Sequence, residues 1–440
     1  MKSPSVSASA FRSYVRDLAD LNNEAMRAGG LPFPFVDLAR EHLDGRAGRE
    51  LRASVELGEL RRMGAFFTGD KLAAAAVGLA GDPRRWGRVH DPACGCGDLL
   101  LAAAWQLPVC PNLSDTLEVW GSILSGRDLV PEFIEVARHR LALVAMVRGS
   151  KPDRRDQRLD EALGNVRVGD GRSDTPLAVA GTVLLNPPYG RVVAPDSTAF
   201  AQGVVTEAAL WTVDVLETMA EGAQLIAVLP DVLRSGSRYR AFREFVGGLA
   251  NVRSIESYGR FDALTDVDVF VSRLRRTKRG RGWPASESAA PTTLADVCTI
   301  SVGAVVDRRD LHRGSWSPYI TTRDLPQHGF FVPTRHRRFA KRRFTPPFVV
   351  VRRTSRPSGA LPRLRAVVIG GERPVAVENH LIVLEPNEPG LAACERLATA
   401  LQDSQITAWL DGRIRCRHLT VQALREAPAP QTIRDLASAP

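Results

Sequence analysis

At 440 residues, 44% hydrophobic and 25% charged, the chain has the balance of a soluble globular protein of two or three domains, and no apolar run in it approaches the roughly 18 residues of a membrane helix. Its six cysteines, at positions 94, 96, 110, 298, 394 and 416, form no CxxC pair, so they read as free thiols instead of a disulfide framework or a zinc site. The net charge of +10 is uneven: positions 1–270 carry 31 Lys and Arg against 35 Asp and Glu, whereas 271–440 carry 28 against 14, an excess that points to a polyanion, nucleic acid first.

Residues 1–60 read as helical. FRSYVRDLADL and VDLAREHL place apolar residues three and four apart. The opening residues lack the apolar core of a signal peptide, so a cytoplasmic protein is expected. From about 86 to 275, short apolar runs alternate with amphipathic stretches, the pattern of a parallel sheet covered by helices. Strands are expected at 88–91, 123–128, 166–170, 182–186, 224–229, 252–257 and 267–273. A helix is expected at 131–147, with Pro131 in the first turn, where its missing N–H costs nothing. Residues 276–293 lack apolar periodicity and read as a linker. Beyond them, 294–440 mixes β-like runs (FVVVRR, AVVI, HLIVL) with a helix near 391–411.

The first strand runs into DPACGCGDLL, 91–100, where Gly95 and Gly97 permit a tight turn and close backbone approach of a ligand before a helix. Asp91 can pair with a cationic ligand or hold it through water. Cys94 and Cys96, one residue apart and without partners, read as packing residues. Asp128 ends the second strand, where a carboxylate suits ribose hydroxyls, and Asp170 ends the third, where one suits an adenine amino group. Each aspartate alone would pass as a helix cap or turn residue. Three in succession face one crevice. The fourth strand ends in LLNPPYG: Pro187 and Pro188 remove two N–H donors and leave carbonyls, Asn186 adds a side-chain carbonyl, and Tyr189 adds a flat ring. That set suits an exocyclic amino group on a planar base.

With DPACGCG (91–97) followed by NPPY (186–189), the chain resembles the S-adenosylmethionine-dependent amino-methyltransferases. More narrowly it is similar to DNA N6-adenine methyltransferases of restriction-modification or phage-defence systems, in which a target-recognition domain follows the catalytic one. RRMGAFFTGDKLA (61–73), LIAVLPDVLRSGSRYRAFREF (225–245) and SIESYGRFDALTDVDVFVSRL (254–274) match further family segments. SPYITTRDL (317–325), VENHLIVL (377–384) and RHLTVQALREAPAP (417–430) resemble recognition domains. The resemblance implies an α/β fold: a Rossmann-like methyltransferase sheet with helices on both faces at 61–275, an N-terminal helical segment at 1–60, and a basic α+β DNA target-recognition domain at 294–440. It implies S-adenosyl-L-methionine as cofactor, bound by Thr68, Asp91, Ala93, Gly95, Gly97, Asp128, Leu129, Asp170 and Gly171. It implies catalysis by Asn186, Pro187, Pro188 and Tyr189, with Tyr189 and Phe261 stacking on a base flipped out of double-stranded DNA. Two departures stand out. Gly69 occupies a place usually held by proline, which should loosen the loop bearing Thr68, and Asp98 occupies a place usually held by a small residue.

An adenine amino group is a poor nucleophile because its lone pair is delocalised into the ring. Two acceptors, the Asn186 side-chain oxygen and the Pro187 carbonyl, would bind its hydrogens and localise the lone pair. Cytosine N4 and RNA bases pose the same problem, and a DNA-binding module without catalysis is the alternative outside enzymology. For the duplex, RHRRFAKRR (335–343) and VRRTSR (351–356) supply Arg335, Arg337, Arg338, Lys341, Arg342, Arg343, Arg352 and Arg353 as candidate phosphate or base contacts. A common nuclease core needs an acidic residue two places before a lysine, and none of Lys71, Lys151, Lys278 and Lys341 has one, while Lys2 has no residue at that place. Any cleavage would come from a separate subunit.

Overall fold

The computed structural model describes residues 9–31, 35–56, 58–60, 66–153, 158–173, 175–261, 267–284, 292–355, 362–413 and 419–437. Positions 61–65, 262–266, 285–291, 356 and 416–418, which fall within stretches or positions singled out above, lie outside the described residues. The chain divides into two compact units: Met1–Arg234 with Arg238–Pro284, and Ser235–Ser237 with Ala285–Pro440.

The first unit is built on a seven-stranded sheet in the order β3-β2-β1-β4-β7-β9-β8. Its strands are β1 (Val89–Asp91), β2 (Leu124–Asp128), β3 (Val166–Val168), β4 (Thr182–Leu185), β7 (Gln224–Pro230), β8 (Ala250–Arg260) and β9 (Asp268–Arg276). β3, β2, β1, β4 and β7 run parallel, and β9 pairs antiparallel with both β7 and β8. All seven expected strands are present. Two others, β5 (Arg191–Val193) and β6 (Val204–Thr206), form a separate hairpin that the apolar pattern does not announce.

Period-two alternation explains how one sheet carries two cores. On β4, Val183 and Leu185 join one cluster while Leu184 joins the other. On β7, Leu225, Ala227 and Leu229 face the first, and Ile226 and Val228 the second. Helices α8 (Glu207–Thr218) and α9 (Arg240–Leu249) contribute Val213, Leu216 and Phe242 to the former. The latter is covered by α1 (Ser9–Arg27), α2 (Phe35–Glu41), α3 (Ala47–Ser54), α4 (Asp70–Gly78), α5 (Asp98–Ala104), α6 (Leu113–Ile123) and α7 (Pro131–Val147). Phe11, Tyr14, Leu18 and Leu21 of α1 are buried at helical spacing, with Phe11 edge-on to Phe133 of α7 at 5.7 Å. The N-terminal helices therefore belong to the same core as the sheet. Within the stretch read as a linker, Trp283 packs near Phe242 and Phe270 at ring separations of 6.4 and 6.5 Å.

In the second unit a five-stranded sheet, ordered β10-β17-β14-β15-β12, accompanies a three-stranded one, β13-β11-β16. The strands are β10 (Cys298–Val302), β11 (Ser315–Ile320), β12 (Gly329–Phe331), β13 (His336–Phe339), β14 (Phe348–Arg352), β15 (Ala366–Ile369), β16 (Ala376–Val377) and β17 (Leu381–Pro386). Val349 and Val351 pack under helices that include α10 (Leu391–Ala400), while Val350 faces the opposite cluster with Phe344 and Phe348. The three apolar runs seen in the sequence are strands β14, β15 and β17. The helix expected near 391–411 is two, Leu391–Ala400 and Ser404–Arg413. Among the described residues no helix is long and apolar enough to cross a membrane.

Candidate active site

In a parallel sheet the strand order reverses where successive crossovers go to opposite faces, and the carboxyl ends of the strands there open a crevice. Here that point lies between β1 and β4. The segment after β1 turns through Gly95 (φ +51°) and Gly97 (φ +87°), a backbone region that disfavours side chains. Opposite, a Cβ at Gly171 would stand 2.0 Å from the Pro92 carbonyl oxygen, so the chain closes on itself there only because position 171 is glycine.

A cleft opens at this edge. Its walls include ten of the residues singled out from the sequence: Thr68, Asp91, Ala93, Gly95, Asp128, Leu129, Asp170, Gly171, Asn186 and Pro188. Gly97, Pro187 and Tyr189 stand behind that wall. Gly97 shapes the turn from inside, packed near Ala137 and Leu101, and Pro187 is buried.

The three strand-end carboxylates differ in environment. Asp91 is 1% exposed and accepts one hydrogen bond from the Ala93 N–H at 3.1 Å. Burial pushes its carboxyl up to about 8; the Ala93 bond opposes this, while the charges of Asp128 and Asp98 add to it. Asp128 accepts from the N–H groups of Gly95 (3.0 Å) and Val130 (2.9 Å), and burial pushes it up to about 6. Asp170 is exposed two residues beyond the end of β3 and accepts from the Arg172 N–H at 3.0 Å. The cleft is thus acidic and partly desolvated, an environment in which a bound cation relieves repulsion.

Asn186 follows β4 and is tied at both ends of its amide. Its Nδ2 donates to Thr68 Oγ1 (2.9 Å) and the Phe66 carbonyl (3.3 Å). Its Oδ1 accepts from the Tyr189 hydroxyl at 2.9 Å, and that hydroxyl also lies 3.1 Å from the Val228 carbonyl. Tyr189 is half-buried and edge-on to Phe261, ring centroids 5.7 Å apart at 74°. Phe261 is 5% exposed. The two rings expected to stack on a base here pack on each other. Phe261 also lines a second cavity, which shares Phe67, Thr68 and Asp98 with the first and adds Arg49, Lys71 and Tyr258.

Sequence reasoning missed several wall residues. Phe66 and Phe67 precede Thr68, Phe133 opens α7, and Trp211 of α8 carries the Arg172 guanidinium over its ring at 5.3 Å. Only Phe66 and Phe67 lay within a motif already noticed. Cys94 and Cys96 are buried thiols that burial pushes to higher pKa.

In the second unit the basic residues fall into unlike classes. Arg337 is buried, with its guanidinium 2.7 Å from Asp307 and 4.9 Å from the Tyr319 ring centroid. This corrects the expectation of a nucleic-acid contact, because strand alternation turns position 337 inward. Arg335 pairs with Asp324 (3.2 Å), Arg342 with Glu385 (3.0 Å) and Lys341 with Asp310. Arg343 donates to Ser317 Oγ (3.0 Å), Arg352 to the Leu325 carbonyl (2.7 Å), and Arg353 is half-buried. Arg338 is exposed directly across the β11–β13 ribbon from Trp316. Trp316 is 56% exposed, and its ring lies parallel to that of His336, 6.2 Å away at 6°.

No family model matches the sequence. Among solved structures, the chain is similar to the type IIG restriction endonuclease BpuSI at a TM-score of 0.43, with 15% identity over 91% of this chain and 63% of that one. It is similar to the type IIL restriction-modification enzyme MmeI in complex with DNA at 0.44, with 9% identity over 95% and 67%. For a type I restriction-modification methyltransferase subunit from Streptococcus thermophilus the score is 0.34, with 18% identity over 48% and 44%. The chain therefore spans less than two thirds of BpuSI and less than half of the Streptococcus subunit. Identities and scores this low leave the assignment to the chain's own residues.

Proposed function

We propose that the first unit is a methyltransferase and that the chain methylates adenine N6 of a base flipped from double-stranded DNA. One observation carries this reading: carboxylates at the ends of β1, β2 and just past β3, together with Asn186 and Pro188 after β4, line one cleft. The residues fit S-adenosylmethionine, since the acidic, half-desolvated wall suits a sulfonium and ammonium ligand, and Asp128 and Asp170 offer acceptors to ribose and base. Bound there, S-adenosylmethionine supplies an electrophilic methyl group.

The chain's own residues do the rest by position and polarity. The Thr68 hydroxyl and the Phe66 carbonyl take both Nδ2 hydrogens of Asn186, which fixes the sense of its amide. Oδ1 accepts from Tyr189 and keeps a second lone pair for an amino hydrogen of the target base. The Pro187 carbonyl supplies the partner acceptor. Holding both hydrogens out of the ring plane takes the nitrogen lone pair out of conjugation and raises its nucleophilicity without a strong base, and the nitrogen, cationic once methylated, loses a proton to water. Base stacking would require the Tyr189–Phe261 pair to open, and the cavity beside Phe261 gives that movement room.

The second unit serves as the target-recognition domain in this reading. An antiparallel ribbon fits the major groove of DNA, and β11–β13 presents Arg338, Trp316 and His336 on its exposed face. Expression in a host lacking adenine methylation, followed by modification-sensitive sequencing, tests the proposal. One sequence motif carrying N6-methyladenine is expected. Methylcytosine, or no mark, with the chain soluble and able to bind S-adenosylmethionine, sinks the adenine assignment.

A further inference from the structure

Position 69 carries glycine, and position 98 an aspartate at the first residue of α5. Their geometry accounts for both. The Gly69 N–H donates to Asp98 Oδ2 at 2.7 Å. Proline has no N–H to give. Gly69 also sits at φ +72°, ψ 162°, which proline cannot reach and other residues rarely adopt. The loop is therefore held by a hydrogen bond, contrary to the loosening that a glycine at this place suggests.

The other oxygen, Asp98 Oδ1, accepts from Arg140 Nη1 at 2.7 Å, with the two side chains 7% and 1% exposed. Arg140 is itself fixed on several sides. Nη1 also donates to the Cys96 carbonyl of the glycine turn (2.7 Å), and Nε donates to the His42 carbonyl of the N-terminal helical layer (3.0 Å). A buried ion pair contributes little net stability by itself, because desolvation offsets the attraction, but it fixes a unique geometry at high cost to alternatives. Here that geometry is transmitted. Gly69 is bonded to the residue whose hydroxyl holds Asn186, so an unbroken chain runs from His42 through Arg140, Asp98, Gly69 and Thr68 to Asn186.

We infer that Asp98 and Arg140 are positioning residues: Asp98, at the cleft wall and backed by Arg140, locks the Phe66–Gly69 segment, and the pair thereby sets the orientation of the Asn186 amide. As a statement about catalysis this rests on the methyltransferase reading; as a statement about the segment it does not. Neither residue reaches the target base in this account. Both act through Thr68.

Asp98→Asn isolates the link. The amide oxygen can still accept from Arg140, but its NH2 then meets the Gly69 N–H, donor against donor, at unchanged volume. Hydrogen–deuterium exchange over residues 66–72 should accelerate by roughly tenfold or more in this variant while α7 exchanges as in the parent. With S-adenosylmethionine and duplex DNA, kcat should fall by roughly ten- to a hundredfold while duplex Kd stays within about twofold. The combination with Thr68→Ala should be no worse than Thr68→Ala alone, within about twofold, because the two changes break one path. Should Asp98→Asn unfold, Asp98→Glu keeps a carboxylate for Arg140 but moves the acceptor away from the Gly69 N–H without touching the loop backbone, and the same exchange difference is expected. Unchanged exchange at 66–72 overturns the inference whatever the chain's activity. Faster exchange with additive losses in the double variant overturns the route through Thr68. A parent chain that methylates no DNA condemns the functional reading, and the exchange result still decides the positioning.

Discussion

The acidic cleft of the first unit and the basic stretch 335–343 of the second carry the charges most conspicuous in the sequence, and the structure treats them in opposite ways. At the cleft, Asp91 is buried with a single N–H for company, and both it and Asp128 are held above the ordinary carboxylate range. In the basic stretch, Arg335, Arg337, Lys341 and Arg342 each already face an acid of their own unit. A charge that is desolvated and under-partnered is poised for a ligand, whereas one that is paired internally contributes to the fold. Charge counting along the chain cannot separate these cases. Burial and partners do.

The largest expected effect tests the cleft. Asn186→Ala should lower methyl transfer by at least on the order of 10²–10³-fold, since one of two acceptors for the amino group is lost. Duplex affinity should stay within a few-fold. Transfer at the parent rate, measured with labelled S-adenosylmethionine, would mean that the site has been misplaced.

Asp91 gives the next. Burial pushes its folded-state pKa up to about 8, well above the ordinary aspartate range. The ligand-free fold therefore binds this proton more tightly than the unfolded chain does. The resulting stability is fully present below about pH 4 and is lost as pH rises through 8. A cationic ligand favours the carboxylate, so binding should release a proton below pH 8, and affinity should climb toward about tenfold per pH unit between pH 6 and 8. Asp91→Asn should weaken S-adenosylmethionine binding, flatten its pH dependence, and make the ligand-free protein more stable than the parent at pH 8.5. Calorimetry in buffers of different ionisation enthalpy reads the proton directly.

The legibility of the two regions differs for a physical reason. Strands β4 and β7 are apolar runs buried along nearly all their length, β1 is short and buried, and β2 and β3 are partly polar and partly exposed; the ends of β1, β2, β4 and β7 are marked by Asp91, Asp128, Asn186 and Pro230. Position along such a strand fixes which residues meet at the crevice. That is why Asp91, Gly95, Asp128, Asp170, Asn186 and Pro188 could be named from position along the strands, whereas Thr68, Ala93, Leu129 and Gly171 came only with the resemblance. What spacing cannot supply is the pairing between distant residues: Asp98 with Gly69, Thr68 with Asn186, and Tyr189 with Phe261 are set by tertiary packing. In the second unit strand β13 alternates its faces, so Arg337 and Arg338 look identical in a charge count and face opposite ways. Applying period two to HRRF would have separated them, had the segment been read as a strand.

Arg337 and Arg338 turn that difference into an experiment. Arg337→Met should destabilise the second unit on the order of 1–3 kcal/mol, through lost packing on Tyr319 and the lost pair with Asp307. Urea unfolding measures this, and DNA affinity at low urea should be little changed. Arg338→Ala should leave unfolding as in the parent and relax one position of the recognised sequence by roughly 1–3 kcal/mol, read by comparing cognate and single-substituted duplexes. Equal destabilisation by both variants would erase the distinction drawn between the two faces of β13.

The smallest effect is expected at Arg342, and its smallness is what makes it useful. If affinity for DNA came from the sum of basic residues, removing any one of them would reduce the salt dependence of binding by about one unit of slope. Arg342 is held 3.0 Å from Glu385, and its guanidinium also lies over the Phe344 ring at 4.7 Å. A phosphate would have to displace a carboxylate to reach it. Arg342→Gln should therefore leave the slope of affinity against salt nearly unchanged, whereas Glu385→Gln, which frees Arg342, should steepen it and tighten binding to cognate and scrambled duplexes alike. If Arg342→Gln instead flattens the slope by a full unit, the internal pair gives way on binding, and the paired arginines of 335–343 belong with the phosphate contacts after all.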